Sequence, residues 1–338
     1  MTENHEVLLQ VRDLSVTYHT RIGSVSAVDK VSLDIFRSEI LGLVGESGCG
    51  KSTLGKALMR MIMPPAEISS GQIIFDGEDV MSFDNRRLRD FRGRKISMIF
   101  QDPMTSLNPV QRVDEHLIEA IKVHEPHTSK ENALERTKVL IERLGIQQRR
   151  LSDYPHQLSG GMRQRVMIGL GLVLNANLIV ADEATTSLDV IVEAKLVDEF
   201  KQIRDQYQLS ILLITHNIAL VAEVADRVAV MYAGQMAEIG PVNDIFDQPL
   251  HPYTRGLLHS VPNIKLDEAE ELYKMPGEPP NLTYPPKGCR FHPRCPAALP
   301  ICSRLEPGMV EAAPNQLVHC WLYQDHPEKQ AAATEVTR

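Results

Sequence analysis

Gly45-Glu46-Ser47-Gly48-Cys49-Gly50-Lys51-Ser52 fits the pattern G-x-x-x-x-G-K-[ST] at every fixed position. The pattern carries weight only between a buried strand and a helix. Ile40–Val44 is a short apolar run and reads as that strand; Ser52–Ile62 has a helical pattern. Glycine lets the backbone curl so that successive N–H groups point inward at a helix N-terminus, where they meet phosphate oxygens. Gly45, Gly48 and Gly50 supply that freedom. Lys51 can then reach the β- and γ-phosphates of a nucleoside triphosphate, and Ser52 offers a hydroxyl to Mg²⁺. Cys49 reads as a small tolerated side chain in a variable slot. A helix N-terminus also lowers a thiol's pKa, which leaves a redox-sensing role open.

Working outward, Ile96–Phe100, Leu178–Ala181, Ile211–Ile214 and Val228–Met231 also read as buried strands. Val192, Leu196, Phe200 and Ile203 recur at gaps of 4, 4 and 3, which is one helix face. Alternating strands and helices predict a mainly parallel α/β sheet. Residues from about 102 to 170 differ: Glu115–His124 and Ser129–Leu144 look helical with no strand between them, so they form a helical insertion. Composition shifts near residue 240, since 14 of the 21 prolines lie between Pro241 and Pro314. The expected organisation is a core at 1–240, a linking segment at 241–274, a Cys- and Pro-rich module at 275–322 and a tail at 323–338.

Leu178-Ile179-Val180-Ala181-Asp182-Glu183 is a buried strand ending in two acids. Ligands of α/β sheets gather at strand C-termini. Asp182 would support Mg²⁺, and Glu183, further out, would polarise an attacking water as general base. His216 follows the strand Ser210–Thr215 and could contact the γ-phosphate; Gln101 follows Ile96–Phe100 and could contact metal or water. Either residue alone would mean little. Leu158-Ser159-Gly160-Gly161-Met162-Arg163-Gln164-Arg165 opens a second glycine-containing helix, with Gly160 lying 110 residues after Gly50. One chain then has two phosphate-binding helix starts and one full nucleotide site. A head-to-tail dimer resolves this, with each nucleotide held between one subunit's phosphate loop and the partner's Ser159–Gly161.

The chain has 338 residues and a net charge of −8, which argues against a nucleic-acid partner. Met1–Gln10 carries two Glu and one His and has no apolar core, unlike a signal peptide. Val166–Ala181 and Gln206–Ala222 are interrupted by polar residues, and neither reaches the ~20 apolar residues of a membrane span. A soluble, cytoplasmic protein is expected, in a compartment where disulfides are rare.

Taken in order, Tyr18, Gly45–Ser52, Gln101, Leu158–Gln164, Asp182-Glu183, Ser187-Leu188-Asp189 and His216 resemble the ATP-binding subunit of an ABC transporter over nearly the whole chain. The resemblance implies a P-loop NTPase core of the ABC ATPase type, α/β, with a helical subdomain and a small C-terminal module. It implies ATP contacts from Tyr18 (stacked on adenine), Gly45, Ser47, Gly48, Cys49, Gly50, Lys51, Ser52 and Thr53. Ser52, Gln101 and Asp182 would hold Mg²⁺. Glu183, His216 and Gln101 would be catalytic, with His216 the switch histidine and Gln101 in the loop that senses the membrane subunits. Ser159, Gly160, Gly161 and Gln164 would meet the partner's ATP, and Asp189 would couple the two sites.

Gln101–Pro109, Tyr154–Met162, Met231-Tyr232-Ala233-Gly234 and His251-Pro252-Tyr253-Thr254 are similar to dipeptide and oligopeptide importers, a group that also serves nickel, glutathione and some oligosaccharides. The D-type subunit is the best likeness. It implies two transmembrane permease subunits, a homologous F-type ATPase subunit and an extracytoplasmic substrate-binding protein, with this chain peripheral on the cytoplasmic face of the inner membrane. A soluble ABC-type ATPase of translation or DNA repair is the rival reading; such proteins usually carry two cores or long coiled-coil insertions. Ser38, Ala184 and Asn217 stand where the pattern commonly has Gly, Pro and Asp. Without the proline, the loop after Glu183 loses a fixed φ.

Cys289, Cys295, Cys302 and Cys320 lie in a module too small to be held by core burial alone. In a reducing compartment a metal cross-link is the physical expectation, and four thiolates suit Zn²⁺ or an iron–sulfur cluster. The spacing has neither paired C-x₂-C knuckles nor a common ferredoxin pattern, and unmetallated thiols remain a third reading. The run Gly288–Pro296 resembles the C-terminal region of peptide-importer ATPases, some of which carry a [4Fe–4S] cluster there.

Overall fold

A computed structural model describes residues 6–100, 107–183, 200–260 and 275–327. In chain order the elements are β1 (Val7–Thr20), β2 (Gly23–Phe36), β3 (Ile40–Val44), α1 (Lys51–Leu58), β4 (Ala66–Phe75), β5 (Glu78–Asp79), α2 (Asn85–Arg94) and β6 (Ile96–Ile99). Then come α3 (Val113–His124), α4 (Lys130–Arg143), α5 (Gly160–Leu172), β7 (Leu178–Asp182), β8 (Ser210–Ile214) and α6 (Ile218–Val224). Last are β9 (Arg227–Tyr232), β10 (Gln235–Pro241), α7 (Val242–Asp247), α8 (Pro252–His259), β11 (Val310–Ala313) and β12 (Gln316–Val318). The chain packs into two compact units, Met1–Leu8 with Ile35–Ile40 and Gly77–Thr215, and Leu9–Asp34 with Leu41–Asp76 and His216–Arg338.

The second unit holds the phosphate loop. Its strands β11, β12, β10, β9 and β3 are hydrogen-bonded in that order. β3 is parallel to β9, whereas each neighbouring pair along β9, β10, β12 and β11 is antiparallel. The expectation of a mainly parallel sheet is therefore corrected to a mixed one. The cause is local: Ala233 (φ 50°) and Gly234 (φ 86°) form a two-residue left-handed turn between β9 and β10, which suits a hairpin. β12 continues the sheet on β10, with Glu238 opposite Val318 and Ile239 opposite Leu317. The C-terminal segment thus shares a sheet with the strand that ends at Pro241.

β1 pairs antiparallel with β4, from Leu9 opposite Phe75 to Tyr18 opposite Ala66. Neither strand is readable from apolar runs. β1 slips register around Arg12 to Val16, with Asp13 at φ 48°, so its alternation breaks in the middle. Helix α1 is shorter than its apolar pattern suggests. Arg60 adopts φ 51°, its N–H bonds the Ala57 carbonyl at 2.8 Å, and Met61 N–H bonds the Lys56 carbonyl at 2.9 Å. That is a left-handed helix stop made without glycine.

In the first unit β6, β7 and β8 are parallel, with Ile96 opposite Leu178 and Leu178 opposite Ser210. Every residue of the three strands is buried, which explains why they read as continuous apolar runs. Helices α3, α4 and α5 pack on one another and bury Leu117, Ile121, Ile141 and Val166. Ser129 caps α4 by accepting the Asn132 N–H at 3.2 Å. Ser38, where glycine is common, sits at φ 57° before β3. Its N–H donates to Ser210 Oγ at 3.0 Å and its hydroxyl to the Gln208 carbonyl at 3.2 Å, which offsets the strain.

Candidate functional site

The phosphate loop is held in shape from several sides. Gly45 (φ 154°) and Gly50 (φ 107°) sit where a side chain does not fit: a Cβ would lie 2.1 Å from the Met231 carbonyl and 2.1 Å from the Ala27 carbonyl respectively. Gly50 stands at the N-cap of α1 with no side-chain cap, so the helix N–H groups keep their capacity for an anion. Lys51 is buried, and its ammonium donates to the carbonyls of Gly45 (2.8 Å) and Glu46 (3.1 Å). Ser47 and Gly48 are exposed at the loop tip. Tyr18, half-buried near the end of β1, shares a hydrogen bond with the Thr53 hydroxyl at 3.3 Å, which places its ring beside the first turn of α1.

Cys49 is 4% exposed, with its sulfur 3.8 Å from Lys51 Nζ. Burial pushes this thiol up despite the neighbouring ammonium. A buried thiol held protonated is unreactive, so the redox reading of Cys49 loses its physical basis.

The first unit carries the acids and the second helix start. Asp182 ends β7, buried, opposite Ile214. Glu183 follows at φ 48°, and its N–H donates to the Ile214 carbonyl at 2.8 Å. A left-handed non-glycine residue at a strand end is strained, and such strain concentrates at functional positions. Ser159 and Gly160 are exposed; Ser159 Oγ accepts the Met162 N–H at 3.3 Å, and a Cβ on Gly160 would meet nothing within 4 Å. Gln164 is 1% exposed, on the inner face of α5 with Val166 and Met167. It therefore does not share the exposed edge that Ser159 and Gly160 form. His216, in the other unit, is exposed, and Asn217 after it caps α6 by accepting the Leu220 N–H at 3.3 Å, as Asp would. Gln101, Ala184 and Asp189 lie outside the described residues.

The hydroxyl of Ser52 and the carboxylate of Asp182 are hard oxygen donors that suit Mg²⁺. The four C-terminal cysteines are free thiols, and Cys289, Cys302 and Cys320 are buried. Burial pushes Cys289 up to about 12 and Cys320 up to about 11, and the other thiols add to the effect on each. Backbone hydrogen bonds from Phe291, Ala297 and Leu322, each two residues on, draw Cys289, Cys295 and Cys320 back down. Leu299 N–H donates to the Cys302 sulfur at 3.4 Å. Amide donors at these sulfurs suit thiolate ligands. Among the described residues no three His, Cys, Asp or Glu side chains are set to hold one metal ion.

Sequence reasoning missed the residues that brace the loop. Glu46 N–H donates to Tyr253 Oη at 2.9 Å, and the Glu46 carboxylate is gripped by Arg294 at 2.8 and 2.9 Å. Arg294 stands between two of the cysteines, and no local pattern ties it to a loop 248 positions away.

Residues 28–186 match the sequence model of the family described as ABC transporter, and residues 237–302 that of the oligopeptide/dipeptide transporter C-terminal region. The chain is 45% identical to the dipeptide transport ATP-binding protein DppD of Bacillus subtilis, over 96% of this chain and 97% of that protein. It is 42% identical to the oligopeptide transport ATP-binding protein OppD of Escherichia coli, over 94% and 93%. Among solved structures, a dimeric ATP-binding cassette in a post-hydrolysis state with ADP and phosphate shares the fold. Its TM-score is 0.63 at 24% identity, covering 70% of this chain and 99% of that one.

Proposed function

The chain belongs to the ATP-binding proteins of dipeptide and oligopeptide ABC transporters, and from that premise we propose how its residues divide the work. It is the ATP-binding and ATP-hydrolysing subunit that powers peptide uptake, and it works with membrane permease subunits and a substrate-binding protein. The observation that carries the assignment is the phosphate loop, with a buried Lys51 whose ammonium donates to the Gly45 carbonyl and two glycines, Gly45 and Gly50, that admit no side chain.

In this reading the N–H groups at Gly48–Ser52 bind the phosphates, Lys51 neutralises the β- and γ-oxygens, and Tyr18 stacks on adenine. Ser52, Asp182 and Gln101 hold Mg²⁺, which when bound neutralises charge developing on the transferred phosphoryl group. Glu183 takes the proton of the attacking water, and His216 orients that water. Ser159, Gly160 and Gly161 reach the γ-phosphate on a partner subunit, Gln164 supports that helix from within, and Asp189 couples the sites. The partner is a homologous F-type ATPase subunit, and the pair docks on two transmembrane permease chains at the cytoplasmic face of the membrane. Ordering of ATP and closure of the dimer would be one event. A swing of the closed state from 1:99 to 99:1 needs roughly 5.5 kcal/mol of preference.

Glu183→Gln is the test. ATP binding persists while hydrolysis by the assembled transporter falls by about 10²–10⁴-fold, the usual contribution of a general base. Near-wild-type turnover overturns the role of Glu183. Copurification with two different permease chains and a homologous ATPase supports the heterodimer; a homodimer on the permeases overturns it.

Cys289, Cys295, Cys302 and Cys320 ligate a [4Fe–4S] cluster, with a single Zn²⁺ as the second reading. Amide donors at the four sulfurs, three of them buried, support thiolate ligation, while the side chains as they stand are not set around one metal ion. A bound cluster would hold the small module together and keep its ligands as thiolates. Iron and acid-labile sulfide in anaerobically purified protein, with visible charge-transfer absorption, support it; zinc alone, or no metal, overturns it.

A further inference from the structure

Two arginines lie between Cys289 and Cys295, and both reach the phosphate-loop region. The Arg294 side chain is 6% exposed and makes four hydrogen bonds. Its two terminal nitrogens take the two Glu46 carboxylate oxygens at 2.8 and 2.9 Å, one of them also meets Tyr232 Oη at 3.3 Å, and Nε donates to the Pro276 carbonyl at 2.8 Å. Glu46 is the second residue of the phosphate loop. Its side chain is held by Arg294, its N–H by Tyr253, and its carbonyl by Lys51.

The other arginine secures the far end of the loop. Arg290 donates to the Ala233 carbonyl and to the Asp29 carboxylate. Asp29 N–H bonds the Gly234 carbonyl at 2.8 Å, and Gly234 N–H bonds the Cys49 carbonyl at 2.9 Å. Between the arginines, Phe291 packs its ring against Tyr232 at 5.2 Å and Tyr253 at 5.5 Å. A single short segment thus ties Glu46 directly and Cys49 through one hairpin turn.

We propose that Arg294 is a positioning residue for ATP binding, and that the cysteine module is a clamp that sets the affinity of the phosphate loop. A phosphate loop works only when its N–H groups already converge; a loop that must organise on binding gives up affinity for that ordering. A bidentate pair between the buried Arg294 guanidinium and the part-exposed Glu46 carboxylate fixes both position and rotation of the Glu46 side chain. A merely structural staple would hold the module on the sheet and leave nucleotide affinity alone. The inference rests on the reading of Gly45–Ser52 as the ATP site.

The experiment measures the Kd of Mg-ATP on the full-length chain for wild type, Arg294→Gln, Arg294→Lys, Glu46→Gln and the double variant Glu46→Gln/Arg294→Gln, each with a thermal melt. Removing either partner raises Kd roughly tenfold, as expected for loss of a charge-assisted bidentate contact. The double variant is no weaker than the worse single one, because both delete the same contact. Arg294→Lys falls between wild type and Arg294→Gln, since lysine restores charge but not the fork. In the assembled transporter KM for ATP rises while kcat at saturation stays within about twofold, as for uniform binding lost. Glu46→Gln keeps the test open should Arg294→Gln fold poorly. Wild-type binding with unchanged Kd in Glu46→Gln and Arg294→Gln, whatever their melting temperatures, overturns the clamp alone. Failure of wild type to bind ATP overturns the ATP-site reading and the clamp with it.

Discussion

At Lys51 and at Gly160 a glycine-rich turn runs into a helix, yet the two starts are supported in opposite ways. The first is enclosed. Gly45 and Gly50 lie against backbone carbonyls, Lys51 is buried, and Glu46 is held by Arg294 and Tyr253. The second is exposed. Gly160 has nothing near its missing side chain, and Ser159 caps its own helix through Met162 N–H. A helix start that must bind phosphate unaided needs rigid surroundings, because ordering it on binding costs affinity. The proposed role of the second start, completing a partner's site, requires access, and its local cap suffices for shape.

The strongest way to break this contrast is a matched pair of alanines. Gly50→Ala places a side chain at positive φ against the Ala27 carbonyl and is expected to cost about 2 kcal/mol or more in stability, together with ATP binding. Gly160→Ala at an open helix start is expected to leave stability within about 1 kcal/mol while lowering hydrolysis in the assembled transporter. Equal losses in thermal melts of the two variants would erase the distinction.

Acid tests the support around the loop next. His251, fully buried beside Tyr253 and Phe291, has its pKa lowered to about 3 by burial, with His319 and Arg255 adding to it. The His251 backbone N–H donates to the Glu238 carboxylate at 2.9 Å, and the ring Nδ1 accepts the Tyr253 N–H at 3.0 Å. The folded state holds this ring neutral, while the unfolded chain takes up a proton below about 6.5. Stability is therefore fully present above that value and is lost as pH falls towards 3. Denaturant titrations across this window should show the slope, and His251→Asn, which keeps a capping acceptor, should flatten it.

Tyr253→Phe keeps the ring and removes the oxygen that accepts Glu46 N–H. We expect about 1–2 kcal/mol lost, as for a buried donor left unpaired, with weaker ATP binding alongside. In the isolated chain Ser159→Ala removes a local cap and should cost about 1 kcal/mol or less, read from the melting temperature, with ATP binding by that chain unchanged.

Much of this was legible because it is local. The glycine and lysine spacing of Gly45–Ser52, the acids after Leu178–Ala181 and the serine before Gly160 each declare a strand end or helix start in a few residues. The buried strands β6, β7 and β8 read as apolar runs because both faces are covered. β1 did not, because its bulge at Asp13 breaks the alternation. Gln164 looked like part of an exposed motif by adjacency, yet helical geometry turns it inward, since five positions along a helix is a different face.

By itself the sequence pointed to the loop proposed to bind phosphate and to the acids and helix starts of the proposed chemistry, since those readings rest on backbone conformation set by neighbouring residues. Tertiary structure decided that the sheet is mixed and that Cys49 is a buried, protonated thiol. It also brought Arg294 onto Glu46 across 248 positions. Burial and long-range pairing depend on where distant segments come to rest, and no local spacing encodes that.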